Sequence, residues 1–60
     1  MPLTSKELSA IEDQLNMEQV LIKKYKLYAQ ACTDQQLKTK WEQIAAQHQN
    51  HYTTLLNQLN

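Results

Sequence analysis

Apolar side chains recur along the chain at the spacing of two amphipathic helices. Counted at about 100° per residue, the apolar positions of the first half lie on one helical stripe. This stripe contains Leu8, Ile11, Leu15, Leu21, Ile22, Tyr25, Tyr28, Ala29 and Cys32. The stripe of the second half contains Trp41, Ile44, Ala45, Tyr52, Leu55 and Leu56. The pattern therefore predicts an all-α protein made of two long helices.

A capping signal predicts where the first helix begins. Thr4 followed by Glu7 has the pattern of a capping box, in which each side chain bonds a free backbone N–H of the first turn. Neither glycine nor proline occurs between this signal and the middle of the chain. The sequence therefore predicts helix 1 over about residues 5–32.

A second capping signal follows at once. Thr33, with Gln36 three residues later, repeats the capping pattern and predicts helix 2 over about residues 34–59. Helices joined by so short a turn lie antiparallel as neighbours. We therefore expect an antiparallel two-helix hairpin that forms one domain over residues 1–60.

Both apolar stripes contain an ionisable group. Glu18 lies in the middle of the first stripe, His48 lies near the centre of the second, and His51 lies toward its edge. A turn centred near Thr33 brings Glu18 level with His48, and His51 lies one helical turn further from the loop on the same face. Both imidazoles are therefore expected to approach the carboxylate.

A carboxylate within an apolar stripe requires compensation, because leaving it unpaired costs several kcal/mol. Three arrangements supply it: an ion pair with a protonated histidine, a hydrogen bond to a neutral histidine or to Tyr25 or Tyr28, or a shared metal ion. In the third, the ligands are Glu18, His48 and His51. Imidazole and carboxylate suit zinc, manganese or iron, and the identity of the metal is unknown. The sequence leaves these alternatives open.

The length of the chain points to self-association. Sixty residues bury a limited fraction of their surface, and one cysteine cannot form an intrachain disulfide. Both stripes are also broader than the contact between two helices requires, so a lone hairpin leaves several members partly exposed. These are Met17, Leu21, Tyr28, Tyr52 and Leu56. Two hairpins about a two-fold axis would bury them, which predicts a homodimeric four-helix bundle with two copies of the Glu/His cluster.

Charge and hydropathy argue against nucleic-acid and membrane partners. Six lysines balance six acidic residues, and no arginine is present. Five of the lysines gather around the turn, namely Lys23, Lys24, Lys26, Lys38 and Lys40. This group is typical of a solvated face. No segment approaches membrane-spanning length and the N-terminus lacks the pattern of a signal peptide, so we expect cytoplasmic synthesis without a leader.

The residues for common catalytic sites are also missing from the sequence. The chain contains no glycine, hence no loop that could cradle a phosphate, and no cysteine or serine paired with a histidine and an orienting third group. We therefore favour a protein that is not an enzyme.

Five short segments follow one another in a distinctive order. They are Leu3–Leu8, Glu18–Tyr25 followed by Tyr28 and Ala29, Cys32–Lys38, His48–Tyr52, and the pair Leu55 and Leu56. In this order and spacing they resemble the small coat F type proteins of bacterial endospores, over nearly the whole chain. The resemblance implies a non-catalytic structural or assembly protein, location in the spore coat, and other coat proteins as partners. It also implies a fold similar to the ferritin-like group, in which paired antiparallel helices build a four-helix bundle.

The likeness to the ferritin-like group extends to the ionisable residues. The first helix of that group has a glutamate and, seven residues later, a tyrosine, which Glu18 and Tyr25 match. Its second helix has a Glu-x-x-His motif, in which His51 matches the histidine and His48 replaces the glutamate. The carboxylate that bridges two irons is therefore absent. The alternative function is a ferritin-like metal-binding protein with a mononuclear or dimer-shared Glu/His site in the dimer core.

Overall fold

The computed structural model describes residues 3–59 and consists of two helices that pack against each other. Helix α1 spans Ser5–Ala31 and helix α2 spans Gln35–Asn57. Their side-chain contacts run in opposite directions along the chain, because Glu18 of α1 meets His48 of α2 while residues later in α1 meet earlier residues of α2. The predicted all-helical, antiparallel hairpin is confirmed at this level.

Helix α1 begins at the capping box that the sequence predicts. The Glu7 backbone N–H donates to the Thr4 hydroxyl at 3.1 Å, and the Thr4 N–H donates to the Glu7 carboxylate at 3.0 Å. At the other end, Cys32 adopts an extended backbone with φ −83° and ψ 131° and is the C-cap. The helix therefore ends at Ala31, one residue before the predicted boundary.

Helix α2 begins differently from the prediction. The prediction that Thr33 caps this helix is wrong, because the Leu37 N–H donates to the Asp34 carboxylate at 3.0 Å. Asp34 is still extended, with φ −78° and ψ 119°, so it is the last residue before the helix. Its negative charge also interacts favourably with the positive end of the helix dipole. Helix α2 consequently runs over Gln35–Asn57, within the predicted 34–59.

The hairpin is a single pair of helices. It measures 46 × 14 × 11 Å along its principal axes. Among residues 3–59 the apolar side chains that become buried are Ile22, Ala29 and Ala45. No helix in this range is long and apolar enough to cross a membrane.

The side chains that were expected to stay exposed in a lone hairpin do so to different degrees. Met17, Tyr28 and Leu56 are exposed, and Leu21 and Tyr52 are half-buried. Additional apolar residues are exposed along both helices, namely Leu3, Leu8, Val20, Leu27, Leu37 and Leu59. The two helices alone thus leave much of the apolar surface in water.

The two flanks of the helix contact both mix apolar and polar side chains. One flank carries an open groove lined by Lys26, Glu42, Ala45, Ala46 and Gln49. At about 100° per residue, the opposite flank carries Met17, Leu21, Tyr28, Ile44 and His51. The Lys24 ammonium also lies there, 5.7 Å from the centre of the Tyr28 ring.

Candidate metal centre

Glu18 occupies the centre of the hairpin. Thirteen residues of α1 precede it and thirteen follow it, and only 3% of its side chain is exposed. It is buried because it shares the inward face of α1 with Ile22 and Ala29, at helical spacings of four and eleven residues. The sequence thus places a carboxylate at the point of the hairpin that is furthest from both ends.

Two imidazoles of α2 satisfy this carboxylate. His48 Nδ1 lies 2.9 Å from one carboxylate oxygen of Glu18, and His51 Nδ1 lies 3.1 Å from the other. The spacing of three residues puts both histidines on one face of α2, and the antiparallel register brings that face to the level of Glu18. The structure therefore brings together all three residues that the sequence singled out.

The three side chains are buried to different extents. His48 is 22% exposed, whereas His51 is 64% exposed. His51 is more exposed because it lies at the edge of the apolar stripe rather than at its centre. Both imidazoles thus approach the carboxylate as expected, His48 from a largely buried position and His51 from an exposed one.

Tyr25 supports the centre in a way that the sequence did not indicate. Its ring is parallel to that of His48, with an interplanar angle of 4° and centroids 5.8 Å apart, and it also stacks on Trp41 at 5.6 Å. The hydrogen bond from a tyrosine to Glu18, one of the alternatives left open by the sequence, is replaced by this stacking. The spacing of seven residues, about two helical turns, put Tyr25 and Glu18 on one face of α1, but it did not indicate that Tyr25 would stack on His48.

A further hydrogen bond joins the two helices beside the Glu18 cluster. The Gln19 side-chain amide donates to the Tyr52 hydroxyl at 3.2 Å across the two helices. Among the described residues, no buried side-chain nitrogen or oxygen lacks a hydrogen-bond partner. The polar groups in the middle of the hairpin are thus paired, and this limits how the two helices can slide along each other.

The donor set suits a divalent transition-metal ion. One ligand atom from each of Glu18, His48 and His51 lies within 4.8 Å of the other two. Zinc and related ions are commonly bound by imidazole nitrogen and carboxylate oxygen, and three protein ligands leave one position of a tetrahedral zinc ion for another donor. The same geometry also serves as a hydrogen-bonded triad of one carboxylate and two imidazoles.

No protein-family model, no curated protein and no solved structure matches this chain.

Proposed function

We propose that the chain is a non-catalytic assembly protein that works as a homodimer of helical hairpins, packed as a four-helix bundle. The observation that carries this proposal is the exposed apolar surface of a hairpin that is a single pair of helices. Exposed apolar patches that are contiguous are typical of interaction sites. A second hairpin would cover part of this surface.

The energetics of a small chain favour the same conclusion. Three buried apolar side chains among residues 3–59 make a very small core, and small proteins usually gain stability from disulfides, metals or association. Burial of apolar surface contributes about 25 cal/mol per Å², so covering several large side chains at once adds a substantial stabilising term. Association therefore supplies the burial that the isolated hairpin lacks.

Sedimentation equilibrium at micromolar concentration tests the homodimer. We expect a mass twice that of the 7.0 kDa chain, with dissociation at high dilution. A chain that sediments as a monomer throughout the micromolar range would contradict the proposal.

We further propose that this assembly belongs to the bacterial spore coat, where other coat proteins are its partners. This part of the proposal is supported by the resemblance to coat F type proteins, which runs through both helices. Antibody detection in purified spores and in vegetative cells tests it. We expect the protein in the spore coat fraction, and its presence at equal levels in vegetative cells would argue against a coat role.

A second candidate function is metal binding in the core of the bundle. The specific observation in its favour is the convergence of Glu18, His48 and His51, with ligand atoms within 4.8 Å of one another. A buried carboxylate flanked by two imidazoles presents donors that zinc, manganese and iron accept. This candidate is compatible with the assembly role, because a structural ion stabilises the fold that binds it.

Elemental analysis tests metal binding directly. The protein is purified without chelator and without a metal-affinity tag, and its metal content is compared with that of the His48→Ala/His51→Ala double variant. We expect close to one transition-metal ion per chain in the wild type and loss of that ion in the variant. Equal metal content in both proteins would remove this candidate.

A further inference from the structure

A second stripe of residues runs along α1, away from the face that contacts α2. Its members recur at alternating steps of four and three residues, which is the spacing of a helix–helix seam. They form the outer stripe, whose eight residues are all exposed, namely Lys6, Ala10, Asp13, Met17, Val20, Lys24, Leu27 and Ala31. Met17, Val20 and Leu27 are 52%, 60% and 62% exposed, more than any other large apolar side chain in residues 3–59. The hairpin therefore leaves its most exposed apolar side chains along one line.

The outer stripe is complementary to itself in charge. Asp13 lies four residues before Met17, and Lys24 lies four residues after Val20, so the two charges are equidistant from the midpoint of the stripe. A two-fold axis at this midpoint, perpendicular to α1, brings Asp13 of each copy level with Lys24 of the other. Neither charge has a partner in its own chain, since the ion pairs among residues 3–59 are those of Glu18 with two histidines.

Lys24 has a second contact that is compatible with this pairing. Its ammonium lies 5.6 Å and 5.7 Å from the ring centres of Tyr25 and Tyr28. A lysine ammonium has three N–H donors, so contact with the aromatic rings leaves donors for a carboxylate of another molecule.

The outer stripe is also complementary to itself in size. The same two-fold axis places Ala10 opposite Leu27 of the second copy, so that a small side chain meets a large one toward each end. The parallel arrangement instead puts Asp13 opposite Asp13 and Lys24 opposite Lys24, and it leaves a gap between two alanines. Like charges in contact are destabilising, and a gap loses dispersion contacts. The stripe thus favours a second copy of itself in the antiparallel direction.

We propose that two copies of this chain pair through the outer stripe, with their α1 helices antiparallel and Asp13 of each copy beside Lys24 of the other. This inference rests on the proposed homodimer and specifies the contact that forms it. Met17 and Val20 meet at the centre of that contact, where they cover each other from water. The two charge pairs fix the direction and register of the helices, because other alignments leave the charges unpaired or bring like charges together.

Charge reversal tests the pairing of Asp13 with Lys24. Sedimentation equilibrium gives the dimer dissociation constant of the wild type, of Asp13→Lys, of Lys24→Asp and of the double variant Asp13→Lys/Lys24→Asp. We expect each single variant to raise this constant on the order of tenfold, because like charges then meet twice in each dimer. The double variant restores both pairs, so its constant should return to within about threefold of the wild-type value.

The matched control is Glu12→Lys, which makes the same change of charge one residue away and about 100° around α1, outside the outer stripe. We expect it to leave the dissociation constant unchanged, and circular dichroism establishes that all variants remain helical. If Asp13→Lys has no larger effect than Glu12→Lys, or if the double variant is as weak as the single ones, the proposed contact is wrong while the homodimer stands. A wild type that stays monomeric contradicts the homodimer itself and removes the contact with it.

Disulfide formation tests the direction of the helices independently. Ala10→Cys and Leu27→Cys are each prepared with the native cysteine replaced by Cys32→Ser, and they are oxidised mildly, alone and as a mixture. In the antiparallel contact residue 10 faces residue 27 of the other copy, whereas equivalent residues are about 25 Å apart. We therefore expect a covalent dimer in the mixture and none in either variant alone. Covalent dimers in each variant alone would show the parallel arrangement, and a mixture that forms no disulfide would overturn the proposed register.

Discussion

Glu18 places a charge where the helical pattern calls for an aliphatic side chain. Each of its oxygens faces one imidazole nitrogen, at 2.9 and 3.1 Å, so the carboxylate is paired without help from solvent. Removing one member of such a buried group is costly, because the remaining members lose their partners. The pairing thus provides a physical reason for Glu18 to be in the core whether or not a metal is bound.

Replacing Glu18 with glutamine tests this pairing. The amide has the same shape but offers one acceptor and one donor, so one histidine must change its tautomer to remain bonded. We expect Glu18→Gln to lower the free energy of unfolding by about 1 kcal/mol and to reduce metal affinity, as measured by urea unfolding and Zn²⁺ titration. The matched control is Glu12→Gln on an exposed part of α1, which should leave both quantities unchanged. Equal effects of the two substitutions would contradict a special role for Glu18.

Side-chain caps mark where both helices begin. Thr4 and Glu7 cap the N-terminus of α1, and Asp34 caps the N-terminus of α2. Each side chain accepts a hydrogen bond from a backbone N–H that has no partner inside its helix. The short extended segment between Cys32 and Asp34 then turns the chain back on itself.

Alanine substitutions at Thr33 and Asp34 test which of the two residues caps α2. We expect Asp34→Ala to destabilise the hairpin by about 1 kcal/mol, because the Leu37 N–H loses its acceptor. Thr33→Ala should have a much smaller effect. Urea unfolding followed by circular dichroism measures both, and a larger effect at Thr33 would restore the cap that the sequence alone suggests.

The contribution of the α1 capping box to stability depends on pH. Two hydrogen bonds to Thr4 lower the pKa of Glu7 below its ordinary value, and the bond from the Thr4 backbone N–H has the larger effect. A carboxyl whose pKa is lower in the folded state stabilises that state above its unfolded pKa, and this contribution is lost as the pH falls through the folded pKa. We therefore expect the stability difference between wild type and Glu7→Gln to shrink between neutral and acidic pH. A difference that stays constant over this range would contradict the assignment.

At the scale of the whole molecule, the hairpin is a narrow rod. With extents of 46 × 14 × 11 Å it has no interior beyond the contact between its two helices. Ile22, Ala29 and Ala45 are the apolar residues buried there among residues 3–59. In the proposed dimer, packing against a second hairpin would bury part of the exposed apolar surface.

Thermal unfolding measures this gain. Because the proposed dimerisation would stabilise the folded state by mass action, we expect the midpoint temperature to rise with protein concentration from the micromolar to the millimolar range. A midpoint independent of concentration in the wild type would argue for a hairpin that is stable alone.

Most of the hairpin and the members of the candidate site could be predicted from local pattern. The capping box at Thr4, the long stripe without glycine or proline, and the short turn determine two antiparallel helices, as the structure confirms. The phase of the stripes and the position of the turn were sufficient to bring Glu18 to His48 and His51. Short-range geometry determines these features, because helical periodicity and turn length depend on residues close in sequence.

Other features depend on how the two helices pack. The sequence offered two neighbouring caps, and the backbone conformation of the turn selected Asp34 over Thr33. Likewise, the rotation of α2 about its axis left His51 largely exposed while Tyr25 stacked on His48. Such rotations depend on side chains from both helices at once, and periodicity within either helix does not specify them.

By itself, the sequence therefore determined two helices, their antiparallel order and the level at which an acid meets two imidazoles, because these follow from spacing along the chain. Only the tertiary structure decided which of the three groups reaches the surface and which residue caps α2. The physical reason is that exposure depends on what packs against each side chain, and the spacing of residues within one helix does not specify that packing.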